Sequence, residues 1–334
     1  MKVSAFNFPF DPAHIAQHPV QPRDAARLLD LSGEVACHRQ IRDLPTLIDP
    51  RDLVVVNNTK VVPARLFGHR GQVAVEATLV RQLGADTWVA LARPGKRLKP
   101  GQIIDFDAGL SAEIAKKVGG QVTLRFNHAG EDLAAAIRTQ GAMPLPPYIK
   151  RDRGGDAADH RHYQSPFAKH EGAVAAPTAS LHFTDALRAA LPCPLAEVTL
   201  HVGLGTFASV SVEETQDHVM HVEWGQIPTE TEAAIASCRA ANGRVIAIGT
   251  TALRTLEAFA GKAQAGDIDL FITPGYDFQV VDALLTNFHL PQSTLFMLVC
   301  AFSGTKAMKA AYALAQAQGY RFFSYGDACW LQRR

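Results

Sequence analysis

The stretch Arg244-Val245-Ile246-Ala247-Ile248-Gly249-Thr250-Thr251 decides the fold class, because a short apolar run passes through a glycine into the start of a helix. Residues 244–248 are typical of a strand buried on both faces, and residues 251–261 follow a helical pattern. A strand that leads directly into a helix is the building unit of an α/β fold. The alternation continues on both sides, with strands predicted over 195–202, 269–273 and 321–324 and helices over 229–240 and 293–302.

Residues 65–126 follow a different pattern, in which short alternating runs are separated by glycine and proline. Turn pairs such as Pro94-Gly95 and Gly119-Gly120 indicate hairpins, so this region predicts a small antiparallel β-barrel. Its predicted strands cover 72–79, 87–92, 102–106 and 121–126, and a helix is predicted over 131–139. We therefore expect an inserted β-barrel domain over 64–152, with an α/β catalytic domain built from 1–63 and 153–334.

The charge of the chain is unevenly distributed, although the 334 residues carry a net charge of only +1. Within residues 65–152, thirteen Lys and Arg stand against eight Asp and Glu, a net charge of +5. A local cationic surface of this kind is suited to phosphate groups, although a charged turn is also often merely solvated. The candidate residues for RNA contact are Arg93, Lys96, Arg97, Lys99, Lys150 and Arg151.

Several protein classes are excluded by what the sequence lacks. The longest apolar run, 295–302, is far shorter than the roughly 20 residues of a membrane span, so it predicts a buried helix. The N-terminus has no apolar leader, which predicts a cytoplasmic protein. The five cysteines form no CxxC pair, and no further ligand follows Asp217-His218 and His221 in a recognisable metal-binding pattern. We therefore expect neither a metal site nor a disulfide framework.

The ends of the predicted strands carry the residues most suited to chemistry, and ligands of α/β folds gather there. His201 shares a strand face with Thr199, and the strand ends in Gly203-Leu204-Gly205-Thr206. Thr250 and Thr251 offer hydroxyls and free amides to a carboxylate or ribose, unless they only cap the helix. Tyr276 and Asp327 follow glycines at two further predicted strand ends.

Two more histidines join these candidates. His182 ends a loop of small residues, 175–181, and His289 stands two residues before Pro291. A single histidine is more often structural than catalytic. Convergence of several strand ends on one cavity would favour a functional role.

In order along the chain, nine segments together resemble the S-adenosylmethionine:tRNA ribosyltransferase-isomerase family of queuosine biosynthesis, from end to end. The stretch Asn57-Asn58-Thr59-Lys60 stands where the family usually has Asn-Asp-Thr-Arg, and Ser180 replaces a customary glycine. The segments are Ile15-Ala16-Gln17-His18-Pro19 with Arg23-Asp24, Val61-Val62-Pro63-Ala64-Arg65-Leu66, and residues 93–99, 144–150, 175–184, 199–207, 249–257, 281–294 and 322–327.

The resemblance implies a barrel-like α/β main domain with an inserted small antiparallel β-barrel. It implies transfer and isomerisation of the ribosyl moiety of S-adenosylmethionine onto 7-aminomethyl-7-deazaguanine at the tRNA wobble position. The products would be epoxyqueuosine tRNA, adenine and methionine. S-adenosylmethionine would be a co-substrate and tRNA the partner, with no permanently bound cofactor and no metal. We expect a monomer.

Within that reaction, the sequence leaves the residue roles open. We hypothesise that His182, His201 or His289 moves protons and that Glu257 or Asp327 contacts the ribose or the sulfonium. Polar groups of the co-substrate would be held by Thr206, Thr250, Thr251 and Arg254. Tyr276 or Phe288 would stack on adenine or on the wobble base, with burial in the core as the alternative.

Two other functions fit the same sequence features. A methyltransferase would use the same co-substrate but leave S-adenosylhomocysteine, whereas ribosyl transfer releases adenine and methionine. A non-catalytic RNA-binding protein would bind tRNA without consuming S-adenosylmethionine.

Overall fold

The computed structural model describes residues 1–151, 156–203 and 210–334. They form two compact units. The first comprises Met1–Lys60, Gln164–Glu171 and Ala176–Arg334, and the second comprises Val61–Tyr163 and Gly172–Ala175. The second unit is thus larger at both ends than the segment 64–152 predicted for the inserted domain.

The helices and strands of the described residues are numbered along the chain. The strands are β1 (Arg27–Asp30), β2 (Cys37–Gln40), β3 (Leu53–Asn57), β4 (Thr59–Val61), β5 (Arg65–Arg70), β6 (Val73–Gln82), β7 (Thr87–Arg93), β8 (Ile103–Phe106), β9 (Ser111–Val118), β10 (Gln121–Phe126), β11 (His170–Ala173), β12 (Leu195–Leu200), β13 (Glu223–Ile227), β14 (Val245–Ile248), β15 (Gln264–Ile268), β16 (Ala283–Asn287) and β17 (Ala328–Gln332). The α-helices are α1 (Gly130–Gln140), α2 (Asp159–His162), α3 (Asp185–Ala189), α4 (Thr229–Ala240), α5 (Thr250–Ala258), α6 (Thr294–Ser303) and α7 (Thr305–Ala317).

The first unit is built on a nine-stranded mixed sheet in the order β15-β13-β12-β3-β14-β16-β17-β1-β2. Its centre is parallel, because β12 pairs with β3, β3 with β14, and β14 with β16 in the same direction. Strands β3, β14 and β16 are buried along their whole length, as expected for apolar runs covered on both faces. One face packs on a core that includes Ile41, Leu44, Phe183 and Leu187.

Two predicted strands of the main sheet are wrong, and side-chain hydrogen bonds to the backbone explain both. Residues 269–273 lie outside β15, and the Leu270 carbonyl accepts a hydrogen bond from Arg254 Nε at 3.2 Å. Residues 321–324 pair only through an isolated bridge of Phe322 with Ile15 and then enter a turn, and Asp327 Oδ2 accepts from the Arg321 amide at 2.8 Å. The strand proper, β17, begins only after this turn.

The second unit contains a closed antiparallel barrel in the order β10-β7-β6-β5-β8-β9. Alternate residues of its strands are buried, which is the period expected when one face points inward. Gly68 is required by the tight packing of β5 against β8, since a Cβ there would lie 2.4 Å from the Asp105 carbonyl oxygen. Strands β5 and β9 were missing from the sequence prediction.

The predicted fold class, an α/β main domain with an inserted antiparallel β-barrel, is therefore confirmed. Helix α4 has the predicted bounds, and α6 is the buried helix expected from the apolar run 295–302. None of the helices that the structure describes is both long and apolar enough to cross a bilayer.

Candidate functional site

One edge of the main sheet collects most of the candidate residues. The four parallel strands β12, β3, β14 and β16 all end there, and they lead into His201, Asn58, Gly249 and Phe288 respectively. Strand β17 begins at the same edge, because it is antiparallel to β16 and pairs Ala328 with Asn287. The chain segments that carry His201, Thr250, His289 and Asp327 therefore all leave or enter the sheet at the same edge.

His182 reaches this edge through Asn287. The Asn287 Nδ2 group donates to the Phe323 carbonyl at 3.1 Å, which fixes the amide orientation, and it lies 3.2 Å from His182 Nε2. Since a donor faces Nε2, the ring proton must be on Nδ1. Burial, with Arg321 and Arg23 nearby, lowers the pKa of His182 to about 3. His182 is therefore a neutral hydrogen-bond acceptor at physiological pH.

His289 is also buried and neutral. Its Nε2 lies 3.1 Å from the Thr286 hydroxyl, and its backbone N–H donates to the Tyr312 hydroxyl. Burial alone lowers its pKa to about 3. These contacts lie within the core of the first unit, which indicates a structural histidine.

His201 differs from the other two histidines because it is only partly buried. Its Nδ1 lies 2.8 Å from the Thr59 hydroxyl, and its ring stacks on Trp224 with centroids 5.3 Å apart and planes 19° apart. Nε2 has no hydrogen-bond partner among the residues that the structure describes. Burial, and secondarily His170, lowers its pKa. A held, neutral imidazole with one available nitrogen has the properties of a general base.

Asp327 has a structural task that the sequence did not reveal. Its Oδ1 accepts from the Arg27 amide at 3.0 Å, and its Oδ2 accepts from the Arg321 amide at 2.8 Å. Along the sheet, β17 lies four positions from β12, about 19 Å at the usual strand spacing. The carboxylate therefore shapes the turn before β17 rather than sharing a reacting atom with His201.

The first turn of α5 carries a buried hydroxyl, that of Thr251, without a hydrogen bond to any described residue. Thr251 is 9% exposed, yet its Oγ1 has no hydrogen-bond partner within the described residues. Ser180, on the 3-10 helix Thr178–His182, has an equally buried and unpartnered Oγ. A Cβ added to Gly249 would lie 3.4 Å from Ala179 Cβ and 3.8 Å from Thr251 Oγ1, so the two elements are close there. Buried hydroxyls usually have a hydrogen-bond partner, so these two groups are candidates for a ligand contact.

Arg254, one turn further along α5, is held by a buried ion pair. Its Nη1 lies 2.5 Å from Glu223 Oε2, and Glu223 Oε1 accepts from the Gly203 amide at 2.9 Å. This pair connects α5, β13 and the end of the His201 segment. No motif in the sequence pointed to Glu223.

Glu257 and Tyr276 are not brought to this edge, which corrects two sequence-based assignments. The Glu257 carboxylate accepts from the amides of Gln279, Val280 and Val281 at 2.8–3.0 Å. Those residues precede β16, so they lie at the opposite edge of the sheet. The Tyr276 hydroxyl is 3.4 Å from Glu257 Oε2. The error arose because Glu257 is at the far end of a helix whose first turn is at the functional edge.

Thr206, the remaining co-substrate candidate, lies outside the described residues. Trp224, Thr59 and Asn287 were missed by sequence reasoning. A polar residue at the end of an apolar strand is a signal that would have found Asn287, whereas the exposure of Trp224 is visible only in the fold. The described residues contain no group of three or more His, Cys, Asp or Glu that could hold a metal ion.

Asn58, which departs from the family pattern, has a complete set of internal partners. Its Oδ1 accepts from the Thr199 hydroxyl at 2.7 Å, and its Nδ2 donates to Glu197 Oε2 at 3.0 Å. An aspartate at this position would place a second negative charge against Glu197. The asparagine therefore fits this surrounding.

In the barrel unit, four of the six cationic candidates are solvent-exposed residues of one loop. Arg93 ends β7, and Lys96, Arg97 and Lys99 surround the buried Leu98. Lys117 Nζ donates to the carbonyls of Gly95 and Leu98 at 2.7 and 3.1 Å and so fixes the loop. Lys150 is also exposed.

The assignment of Arg151 to RNA contact is not supported. Its Nε lies 3.0 Å from Asp159 Oδ2, and the two side chains are 8% and 3% exposed. A guanidinium buried against a carboxylate is not available to a phosphate.

Comparison with known proteins gives consistent matches over nearly the whole chain. A family model described as queuosine biosynthesis protein matches residues 3–331. A protein of Rhodospirillum rubrum is 51% identical, covering 99% of this chain and 98% of its own length. One of Maricaulis maris is 52% identical over 100% of both chains. Both bear the name S-adenosylmethionine:tRNA ribosyltransferase-isomerase.

A solved structure agrees with these matches. The S-adenosylmethionine tRNA ribosyltransferase of Thermotoga maritima is 35% identical in sequence, with a TM-score of 0.55. The match covers 98% of this chain and 99% of that one.

Proposed function

The chain belongs to the queuosine biosynthesis protein family, and from that membership we propose that it is an S-adenosylmethionine:tRNA ribosyltransferase-isomerase. It transfers and isomerises the ribosyl moiety of S-adenosylmethionine onto 7-aminomethyl-7-deazaguanine at the wobble position of tRNA. The products are epoxyqueuosine tRNA, adenine and methionine. The structural observation that carries the proposal is the set of neutral imidazole and unpartnered hydroxyl groups at one edge of the main sheet.

The chemistry needs proton transfer and positioning more than a protein nucleophile. The sulfonium charge acidifies the adjacent ribose methylene, so a positioned base removes a proton there and adenine departs. The amine of the tRNA base must be neutral to attack, and closure of the epoxide expels methionine as a neutral thioether. A neutral imidazole within reach of the ribose suits the first step.

We assign the role of base to His201. Its partner Thr59 fixes the ring, the stack on Trp224 restricts its tilt, and burial keeps it neutral. His182 and His289 are less suited because their Nε2 atoms face Asn287 and Thr286 inside the core. His182 instead positions Asn287 and the 3-10 helix that carries Ser180.

The hydroxyls of Thr251 and Ser180 are suited to the ribose of S-adenosylmethionine. Both are buried, both are unpartnered within the described residues, and both lie where the first amides of α5 add further donors. A ribose offers hydroxyl groups that donate and accept. Binding there would satisfy groups that folding leaves unpaired.

The barrel unit supplies the contacts to tRNA in this proposal. The loop 93–99 presents four exposed cations, and Lys117 holds its backbone. Phosphate contacts of this kind position an RNA without reading its sequence. We further propose that the protein acts as a monomer in the cytoplasm, where tRNA is modified, with no permanently bound cofactor.

One experiment tests the proposed reaction directly. The protein is incubated with S-adenosylmethionine and tRNA that carries the aminomethyl-deazaguanine, and the nucleosides and small products are analysed by mass spectrometry. We expect epoxyqueuosine, free adenine and methionine in equal amounts. A methylated nucleoside with S-adenosylhomocysteine would identify a methyltransferase, and tRNA binding without turnover would identify a non-catalytic binder.

A further inference from the structure

A small cavity lies beside the buried pair of Arg254 and Glu223 in the first unit. Its volume of about 30 Å³ holds roughly two water-sized groups. Its lining combines polar residues, which include His218 and His221, with apolar ones. The residues that matter for the argument are Arg254, Glu223, Met220, Thr294, Leu295 and Leu298.

The guanidinium of Arg254 has one donor group that the fold leaves unused. Nη1 binds Glu223 at 2.5 Å and Nε binds the Leu270 carbonyl at 3.2 Å. Nη2 is buried and has no hydrogen-bond partner among the described residues, although Arg254 is only 6% exposed. A buried donor on a charged group is expensive to leave unpaired, so an acceptor is expected at Nη2.

The same cavity is lined by the N-terminus of α6. Thr294 and Leu295 are the first two residues of this ten-residue helix, and the Ser293 hydroxyl caps the Phe296 amide. The amides of Thr294 and Leu295 have no acceptor within the helix, and the helix dipole favours an anion there. Two independent features therefore favour negative charge at one small site.

The size and lining of the cavity favour a carboxylate as the anion. Two water-sized positions match the two oxygens of a carboxylate. Met220, Leu295 and Leu298 line the same cavity and suit the aliphatic carbons next to the carboxylate. Glu223 keeps the site close to neutral overall, which suits a zwitterionic amino acid better than a multiply charged phosphate.

We propose that this cavity binds the carboxylate of the methionine moiety of S-adenosylmethionine, with Arg254 Nη2 and the first amides of α6 as donors. This inference rests on the proposed function, because it assigns one end of that reaction's co-substrate. Arg254 is thus a specificity residue that distinguishes amino-acid-bearing sulfonium compounds from those without a carboxylate.

The test compares S-adenosylmethionine with its decarboxylated analogue, in wild type and in Arg254→Lys. Lysine keeps a positive charge beside Glu223, so no buried carboxylate is left alone, but it lacks the second arm of the guanidinium. At saturating precursor tRNA, kcat/KM is measured from adenine release, and an inhibition constant is used if the analogue is not turned over. We expect wild type to prefer the carboxylate form roughly 10- to 100-fold and Arg254→Lys to lose most of that preference.

Arg244→Lys is the matched control, because Arg244 also pairs with a buried carboxylate, Asp52 at 2.6 Å, but before the start of β14 at the opposite edge. Arg244→Lys should keep the wild-type preference for S-adenosylmethionine over the decarboxylated analogue, although it should lose about as much thermal stability as Arg254→Lys. An undiminished preference in a folded Arg254→Lys enzyme would overturn the inference. Absence of adenine release in wild type would instead overturn the proposed function.

Discussion

At the residue scale, the three histidines of the site differ in what surrounds them. His182 and His289 are enclosed and their pKa values are lowered to about 3, whereas His201 is partly open. The sequence identified all three by residue type and local pattern. It could not rank them, because the ranking depends on Asn287, Thr286 and Thr59, which only the fold brings near.

The first prediction concerns acid stability. Because folding lowers the pKa of His182 and His289 from 6.5 to about 3, the unfolded chain binds more protons between these pH values. The free energy of unfolding therefore falls as pH drops from 6.5 towards 3, by about 2 kcal/mol per histidine at pH 5. Urea unfolding measures the free energy of unfolding at pH 7 and pH 5. The difference between the two values should be smaller by that amount in His289→Gln than in wild type. An unchanged pH dependence would mean that His289 is protonated in the fold.

The second prediction concerns the base. His201→Phe keeps a ring on Trp224 but removes the nitrogen, so kcat should fall about 10²- to 10⁴-fold with little change in Tm. In wild type, kcat/KM should decline as pH falls through the lowered pKa of His201, below 6.5, because the base must be neutral. His289→Gln, folded at pH 7, should retain far more activity. Wild-type turnover of His201→Phe would remove His201 from the mechanism.

The third prediction uses two threonines of one helix. Thr251→Val removes an unpartnered hydroxyl, so stability should hold or rise while the KM for S-adenosylmethionine increases about tenfold. Thr255→Val is the control, since the Thr255 hydroxyl already donates to the Thr251 carbonyl at 2.9 Å. That variant should lose about 1 kcal/mol of stability with an unchanged KM. The two effects are separated by thermal melts and initial rates.

At the scale of elements, the hydrophobic pattern predicted most strands and helices but failed where side chains bind the backbone. Residues 269–273 look like a strand, yet Arg254 takes the Leu270 carbonyl. Residues 321–324 look like one too, yet they form only one bridge, at Phe322, and Asp327 binds the Arg321 amide around the following turn. Contacts between residues far apart in sequence cannot be read from local periodicity.

The fourth prediction concerns the cationic loop of the barrel. Lys117→Met removes the two hydrogen bonds to the carbonyls of Gly95 and Leu98, so the loop 93–99 loses its fixed shape. We expect tRNA affinity to drop several-fold although Lys117 itself need not touch RNA. Lys116→Met removes the same charge from the neighbouring exposed position and is the control. Equal losses in both variants would show that only charge matters.

At the scale of the whole molecule, the sequence predicted the α/β class, the inserted barrel and the uneven charge. It missed β5 and β9 of the barrel and assigned Glu257 and Tyr276 to the wrong edge of the main sheet. The misplaced residues are explained by the order of strands in the sheet. That order decides which chain segments meet, and no local feature of the sequence encodes it.

The fifth prediction follows from the charge distribution. Reversing Lys96 and Arg97 to glutamate should weaken tRNA binding at least tenfold and flatten its dependence on salt, since fewer counterions are released. Reversing the exposed Lys262 and Lys306 of the first unit changes the net charge equally and should have a much smaller effect. Filter binding across a salt series measures both slopes. Identical slopes in the two double variants would refute phosphate contact by this loop.

The anchoring of α5 by Glu257 has a consequence for engineering. Three backbone amides donate to Glu257 in the last turn of this helix, about 10 Å along the axis from Thr250 at the usual rise per residue. The C-terminal turn of α5 is therefore fixed by the fold, whereas its N-terminal turn, with Thr250 and Thr251, is available for ligand contacts. Libraries that vary only the N-terminal turn should yield altered co-substrate preference in proteins that still fold. Substitutions at Glu257 should instead destabilise the whole helix, whichever residues its N-terminal turn carries.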